Sequence, residues 1–532
     1  MKASPYFTED HELFRQSVRQ FVRAEVLPHI EKWEEEERIP AETWKKMGDL
    51  GFLGINMPEE YGGTNNDFFY SVVLLEEIAK SGCAGLAAAH GVHQFMSTAH
   101  LVKAGSPELK KKYLPGAING SLLGALAISE PGAGSDVASI RTTAVKQGDH
   151  YVLNGQKTFI TNGVYSDFVT VACKTRPDAG TAGISLLIVD RNTAGFTARK
   201  LKKIGWRSSD TAELFFENVH VPAENLIGEE NQGFYYIMES FQLERLVAAI
   251  SAVAGAELGV ETTLKYIGER EAFGRPISKF QAIRHRLVDL ITELEAARQL
   301  TLYTAWLFDR GEFAVKECTM AKLLATELGK KAADICLQCF GGYGYMEEYP
   351  IARMYRDARV GTIVGGTSEI MREILSKIII DDAQYQPAYG TQKPDVQKTD
   401  TSSEPAVSSD KSIFNLNKSA TMNGKPEKAS DIIKGLPARF KADKAEGFDA
   451  VFHFDIAGSN GGQFTVTVKD KTCTVTEGFQ GEPTCKVTTQ DTVYEDVELG
   501  RTNAQMAVMT GKIKINNIGA MMRFVGLFDR LA

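Results

Sequence analysis

In 532 residues there is no apolar run near the roughly 18 residues that a membrane-spanning helix requires. The longest candidate, Leu246 to Val260, is broken by Ser251 and Glu257, so no integral membrane segment is expected. Cysteine is scarce, at seven residues, which points to a reducing compartment and away from a disulfide scaffold. Cys336-Leu337-Gln338-Cys339 has the C-x-x-C spacing but no second ligand pair and no neighbouring histidine. It reads as two packed helical thiols, and no metal site is expected. Surplus positive charge is missing too: 60 Lys and Arg face 68 Asp and Glu, a formal charge of −8, so no nucleic-acid partner is expected. The opening MKASPYFTEDHELF has neither a basic, apolar signal pattern nor an Arg-rich, acid-poor transit composition. The final Asp529-Arg530-Leu531-Ala532 is no recognised address, and a cytoplasmic, bacterial-type location is the expectation. A strand-linked G-x-G-x-x-G, a complete P-loop, H-E-x-x-H and G-x-S-x-G are all absent, which removes a Rossmann NAD site, a P-loop nucleotide site, a zincin and an α/β-hydrolase.

What is present changes period along the chain. Residues 8–120 read as helical: Thr8 is a suitable N-cap, and Phe14, Val18, Phe21 and Val22 recur at helical spacing. From about 123 to 228 the pattern is that of strands. Val169, Val171 and Cys173 alternate with polar or small residues, Ile184 to Val189 is a short buried run, and Leu214, Phe216, Val219 and Val221 follow. Long helices return from 230 to 384, with Leu243, Leu246, Val247, Ile250, Val253 and Ala254 on one stripe. Helices, strands and helices in blocks imply an α+β architecture. The expected domains are residues 1–122 (helical), 123–229 (β-barrel-like) and 230–384 (helical bundle). Residues 385–430, rich in Pro, Ser, Thr and charge, read as a flexible linker; such a coil of about 45 residues would span roughly 35–40 Å. Residues 431–532 form a separate small α+β unit. Phe452, Phe454 and Ile456, then Phe464, Val466 and Val468, alternate as strands around the turn Gly458–Gly462, and an antiparallel meander is expected. A helix capped by Thr502 and closed by Gly511 should follow, then one with Ile518, Met521, Met522, Val525 and Phe528 on a single face.

Five local motifs carry chemistry. Ala125 to Asp136 (ALAISEPGAGSD) is a strand running into a Pro-Gly turn, a loop able to bring N–H groups and hydroxyls close to a flat ring or a phosphate. Lys157 to Gly163 (KTFITNG) sets an aromatic and a hydroxyl on one strand face. Arg270 to Ile277 (REAFGRPI) has Gln281 beyond it. Gln338 to Tyr345 reads QCFGGYGY. Tyr355 to Arg359 is followed by Gly365-Gly366-Thr367-Ser368-Glu369-Ile370.

In this order and at these separations the five motifs resemble the acyl-CoA dehydrogenase family over residues 8 to 384. The resemblance implies helical domains around a small β domain, non-covalent FAD, and oxidation of acyl-CoA thioesters to 2-enoyl-CoA. It implies that Leu126, Ile128, Ser129, Gly134 and Ser135 follow the flavin, with Ser135 also near the thioester. Phe159 would lie against the flavin ring and Thr161 near its N5. Arg270, Phe273 and Gln281 would hold the pyrophosphate and adenosine across a dimer interface, and Gln338, Gly341, Gly342, Thr367 and Glu369 would complete that pocket. Removing the α-proton requires a positioned carboxylate, whose pKa burial near apolar substrate should raise. Many family members place this glutamate directly before the Gly-Thr of the last motif, where this chain has Gly365. A subset, including isovaleryl and some long-chain enzymes, places it on a helix, and the matching residue is Glu244. Gly365 would still offer its backbone N–H to the thioester oxygen. Tyr235, Gln242, Arg245 and Gly366 match substrate-side positions. The resemblance also implies an electron-transfer flavoprotein as acceptor and a homotetramer.

The last unit looks like a sterol-carrier-protein (lipid-transfer) domain, chiefly through Met509 to Ile515 and Ile518 to Met522. That implies a sheet and helices around an apolar site for a lipid, and no catalytic residues. Two rival readings are an oxygen-using acyl-CoA oxidase and a non-catalytic lipid carrier with a vestigial dehydrogenase fold.

Overall fold

Thr8 caps the first helix, Glu9–Phe21, in a reciprocal box with His11, and acidic residues fill its first turn. The buried face carries His11, Arg15, Val18 and Phe21. Arg15 can be buried because it meets Glu76 at 2.6 Å and Glu77 at 3.0 Å on the helix Phe68–Ala79, a helix buried almost all round. The computed structural model describes residues 4–381, 428–445, 448–499, 501, 507 and 512–528. They form two compact units, Met1–Leu375 and Ser376–Ala532. Residues 385–427 of the expected linker lie outside the described residues, as do Thr502 and Gly511, the expected ends of one helix. No helix among the described residues is long and apolar enough to cross a membrane.

In the first unit the expected α+β order is found: helices, a β domain, helices. The β domain has strands β1 (Gly124–Ala127), β2 (Thr143–Gln147), β3 (His150–Thr161), β4 (Phe168–Lys174), β5 (Ile184–Asp190), β6 (Phe196–Lys200), β7 (Thr211–Pro222) and β8 (Leu226–Ile227). They run in the order β6-β7-β3-β2-β4-β5-β8, with β1 on β4. One face of β1 to β7 converges on a single apolar cluster that includes Ala125, Tyr151, Val171, Val189, Phe196 and Leu214. That convergence makes the sheet barrel-like. The other face of β4 and β5 meets Leu109, Tyr113 and Leu114 of the helix Pro107–Ile118. Burial on both faces explains why these two strands read as continuous apolar runs. Leu214 and Phe216 fall on even positions and Val219 and Val221 on odd ones, yet all four are buried. A register shift opposite Leu153 and Gly155 absorbs the extra residue, with Asn218 at φ +50°.

A helix of 37 residues, Gly233–Glu269, follows. It packs on the helices Gln281–Asp309 and Val315–Phe340 through a seam rich in alanine, including Ala249, Ala256, Ala297, Ala321 and Ala325. Between them a two-stranded hairpin, β9 (Glu271–Ala272) and β10 (Arg275–Pro276), turns through Phe273 and Gly274 at positive φ.

The second unit holds β11 (Ala450–Ala457), β12 (Gly462–Lys469), β13 (Thr472–Glu477), β14 (Cys485–Gln490) and β15 (Ile513–Ile515) in the order β13-β12-β11-β14-β15. The expected meander holds only for β11 to β13, because β14 returns parallel to β11. A parallel partner requires the chain to cross the sheet. The crossing segment carries Phe479, stacked on His453 at 4.6 Å, and Gln480, whose carbonyl lies 3.2 Å from His453 Nε2. The opposite face of β11 and β12 builds the core with Phe452, Phe454, Phe464, Val466 and Phe524.

Candidate active site

Glu244 lies about three turns into the 37-residue helix and is 6% exposed. Its Oε1 is buried without a hydrogen-bond partner. Burial pushes its carboxyl up to about 7, against the opposing pull of the Arg245 charge. Its neighbours are fixed by the fold. Gln242 Oε1 accepts the N–H of Ala314, the residue before the helix Val315–Phe340, at 3.0 Å. Arg245 is buried, donates from Nη1 to Thr319 Oγ1 at 3.3 Å and sits 5.7 Å from the Phe241 ring. The acceptor oxygen of Gln242 is thus already engaged within the protein. Tyr235 is half-buried two helix turns ahead of Gln242.

The 365–369 segment is shaped by two glycines at positive φ, Gly365 at +62° and Gly366 at +91°. A side chain at 366 would drive a Cβ to 2.5 Å from Met371 Cε, whereas 365 faces open space. Lys322, fully buried on the helix Val315–Phe340, donates to the Gly366 carbonyl at 2.5 Å. Thr367 Oγ1 accepts the Ile370 N–H at 3.3 Å and so starts the helix Ser368–Ser376. Glu369 is exposed, and its own backbone N–H and the Thr367 hydroxyl hold its carboxyl below the usual range.

The β-domain loop is tied from beneath. Lys157, fully buried, donates to the Ile128 carbonyl at 3.0 Å and to Glu130 Oε1 at 2.8 Å. Glu130 also accepts the N–H groups of Arg141 and Thr142, at 2.6 and 3.0 Å, and the Thr158 N–H bonds to the Ser129 carbonyl at 2.9 Å. Leu126 and Ser129 stay half-buried, Ile128 is buried, and Gly134 and Ser135 are exposed. Two residues beyond Lys157, a bulge in β3 sets Phe159 at φ +60° with 72% of its surface exposed. Buried Ile160 separates it from half-buried Thr161. An exposed ring in a strained backbone is the kind of feature that functional sites hold. An added Cβ at Gly134, Gly341, Gly342 or Gly365 would meet nothing within 4 Å. Open glycine backbone and a presented aromatic ring fit a broad planar cofactor with phosphates.

The remaining expected flavin residues form a second constellation. Arg270, Phe273, Gln281, Gln338, Gly341 and Gly342 are all exposed, Phe273 at 95%, and Arg270 lies over the Tyr343 ring at 5.6 Å. Arg270 follows the end of the helix that bears Glu244. The 26 residue steps from 244 to 270 put about 39 Å of helix axis between them at 1.5 Å each. Within one chain the two constellations are therefore not brought together. Lys157 and Glu130 lie inside two of the motifs but carry no role there, and Lys322 and Thr319 lie outside all five. Only Lys322 has a visible signal, a charged side chain inside the apolar run Ala321-Lys322-Leu323-Leu324.

Comparison with known families accounts for most of the chain. Residues 8–121, 125–219 and 231–380 match the N-terminal, middle and C-terminal domains of acyl-CoA dehydrogenase, and 433–529 match the SCP-2 sterol transfer family. The long-chain specific acyl-CoA dehydrogenase of Sus scrofa is 42% identical over 379 residues, covering 71% of this chain and 88% of that protein. An acyl-CoA dehydrogenase of Bacillus subtilis is 41% identical, over 70% of this chain and 99% of its own length. The crystal structure of an acyl-CoA dehydrogenase from Geobacillus kaustophilus superposes with a TM-score of 0.69 at 47% identity, over 70% of this chain and 99% of that one.

Proposed function

Because this chain belongs to the acyl-CoA dehydrogenase family and carries an SCP-2 sterol transfer domain, we propose that it oxidises acyl-CoA with Glu244 as the base. FAD-dependent conversion of acyl-CoA to 2-enoyl-CoA, and lipid binding by the last domain, follow from the family itself. The placement of the base is our own reading, and one observation carries it. Glu244 is a buried carboxyl with an unpartnered oxygen, held near pH 7, while the alternative position, 365, has no side chain.

A thioester α-proton is weakly acidic, so its removal needs help at both ends. The Gly365 N–H would polarise the carbonyl oxygen, with Gly366 and Ser135 close by, and the Glu244 carboxylate would take the proton. FAD supplies the acceptor for the β-hydrogen, which leaves as hydride. Phe159, Thr161 and the 126–135 loop would hold its ring. Arg270, Phe273, Gln281 and Gln338 would hold the adenosine half of the FAD belonging to a second copy, since the long helix keeps them away from Glu244 of their own chain. That sharing, a homotetramer, an electron-transfer flavoprotein as acceptor and a cytoplasmic location complete the reading. The helical base favours long or branched acyl groups, and relatives named as long-chain specific and isovaleryl-CoA dehydrogenases support this. The C-terminal domain would raise the local supply of poorly soluble lipid substrate and do no chemistry.

Anaerobic titration with an acyl-CoA chain-length series, followed by flavin bleaching, tests the reading. Glu244→Gln should retain FAD and fail to bleach, and normal turnover in this variant would remove Glu244 from the mechanism. Peroxide formation at the full rate in air would favour an oxidase. A chain ending at Asp381 should keep FAD and its turnover of soluble acyl-CoA; loss of either would make the last domain part of the catalytic body.

A further inference from the structure

The helix Val315–Phe340 presents a line of polar contacts along one side, and each reaches a different part of the site. At its start the Ala314 N–H bonds to Gln242 Oε1 at 3.0 Å. One turn on, Thr319 Oγ1 receives Arg245 Nη1 at 3.3 Å. Lys322 donates to the Gly366 carbonyl at 2.5 Å. Positions 319 and 322 fall on one face of the helix, and Ala314 stands at its start. Gln242 and Arg245 bracket Glu244, and Gly366 follows Gly365. One helix face therefore holds the turn that bears the base and the loop that bears the N–H donor.

We infer that Lys322 is a positioning residue for the dehydrogenation, fixing the Gly365–Gly366 backbone at a set distance from Glu244. Two glycines in succession at φ +62° and +91° leave a backbone with much freedom to lose. Gripping the Gly366 carbonyl removes that freedom and orients the peptide units on either side. Nothing else in the structure accounts for this lysine. It is fully buried and makes no ion pair with any described residue. Burial, with the like charge of Arg245 adding to it and the more distant Glu327 and Glu369 charges opposing it, pulls its ammonium down to about 8. Its desolvation outweighs the pull of those two carboxylates, neither of which pairs with it, so the buried ammonium opposes folding, and stability is not what it contributes.

The inference rests on the reading that the Gly365 N–H meets the thioester, and the two are separable by experiment. In the wild type, infrared difference spectra of bound 2-enoyl-CoA should show the thioester carbonyl stretch lowered from its value in solution. An unshifted band there would overturn the reading of Gly365 itself. Lys322→Met preserves length and apolar packing. It should keep FAD and melt no lower than wild type. Its kcat should fall by about 10²-fold with KM little changed, the cost of a misplaced donor, and the carbonyl band should move back towards the solution value. Lys322→Arg should recover part of both. Wild-type bleaching rates and an unchanged carbonyl band in Lys322→Met would overturn the inference. So would a loss of activity that merely tracks lost FAD or a lowered melting temperature, since that would show a structural role alone.

Discussion

Glu244 and Arg245 are chain neighbours, both buried, and no ion pair joins them. Adjacent helical residues point about 100° apart, and Arg245 is turned to Thr319 and Phe241 instead. The carboxyl thus feels the charge only at a distance, and burial wins. Flavin reduction by acyl-CoA should rise with pH through about 7, the pKa of the group, because only the carboxylate accepts a proton. Stopped-flow bleaching rates between pH 5.5 and 9 (a range chosen to bracket about 7) check this; a flat profile, with chemistry shown to limit the rate, would contradict it.

The same shift has a sign for stability. The folded carboxyl titrates near 7 and the unfolded one at 4.5. Between those values the native state holds a proton that the unfolded state has lost, so stability falls as pH rises. Glu244→Gln should therefore be more stable than wild type at pH 8, by up to about 3 kcal/mol, and equal to it below about pH 4. Urea unfolding at the two pH values measures the difference.

Three histidines act in the opposite direction. Burial holds His90, His93 and His100 down to about 4, against an ordinary value of 6.5. Native rings stay neutral where unfolded ones protonate, so stability is lost as pH falls from about 6.5 to about 4. His93 also joins the helical domain to β1: its Nε2 lies 3.1 Å from the Ala117 carbonyl and its Nδ1 accepts the Gly124 N–H at 3.0 Å. His93→Phe should cost about 1–3 kcal/mol through those two stranded backbone groups and flatten the acid limb of the stability profile, as urea unfolding across pH 4 to 7 would measure.

Lys157→Met leaves the Glu130 carboxylate buried without its cation. Removal of one partner from such a pair costs about 3–5 kcal/mol, and the loop from Ile128 to Glu130 loses its anchor. Lower urea resistance and weaker FAD retention on dilution, read by flavin fluorescence, should appear together. Adding Glu130→Gln should restore part of the stability. Unchanged FAD affinity would separate the anchor from the flavin.

Phe159→Gly should behave unlike an ordinary loss of an aromatic residue. A buried Phe cut back to Ala costs about 3–5 kcal/mol, but this ring is 72% exposed on a backbone at φ +60°, where glycine is at ease. The FAD-free protein should melt within a few degrees of wild type while FAD affinity falls at least about tenfold, one unit of 1.4 kcal/mol. A collapse of the FAD-free protein would show that the ring serves the fold.

Local signals in the sequence were sufficient for much of this. Thr8 announced its helix because capping is a matter of three or four residues, and β4 and β5 declared themselves by unbroken apolar runs. The proposed pairing of Gly365 with Glu244 came from the resemblance alone: the last motif carries 365, and a subset of the family supplies the match at 244. Long-range pairings had no such signal. Lys157 meets Glu130 from 27 positions away and Lys322 meets Gly366 from 44, and the residues around either lysine do not name its partner. The bulges at Phe159 and Asn218 broke the two-residue alternation. The parallel return of β14 depended on a crossing that its own residues do not encode.

The long helix has a consequence for inheritance. It keeps Glu244 of a chain away from Arg270 of the same chain. With FAD shared between two copies as proposed, a chain lacking its base and a chain lacking Arg270 and Gln281 would each be inactive alone. Together they would form one centre with both defects and one with neither. Two null alleles in one cell should therefore complement each other, restoring activity that neither parent strain shows.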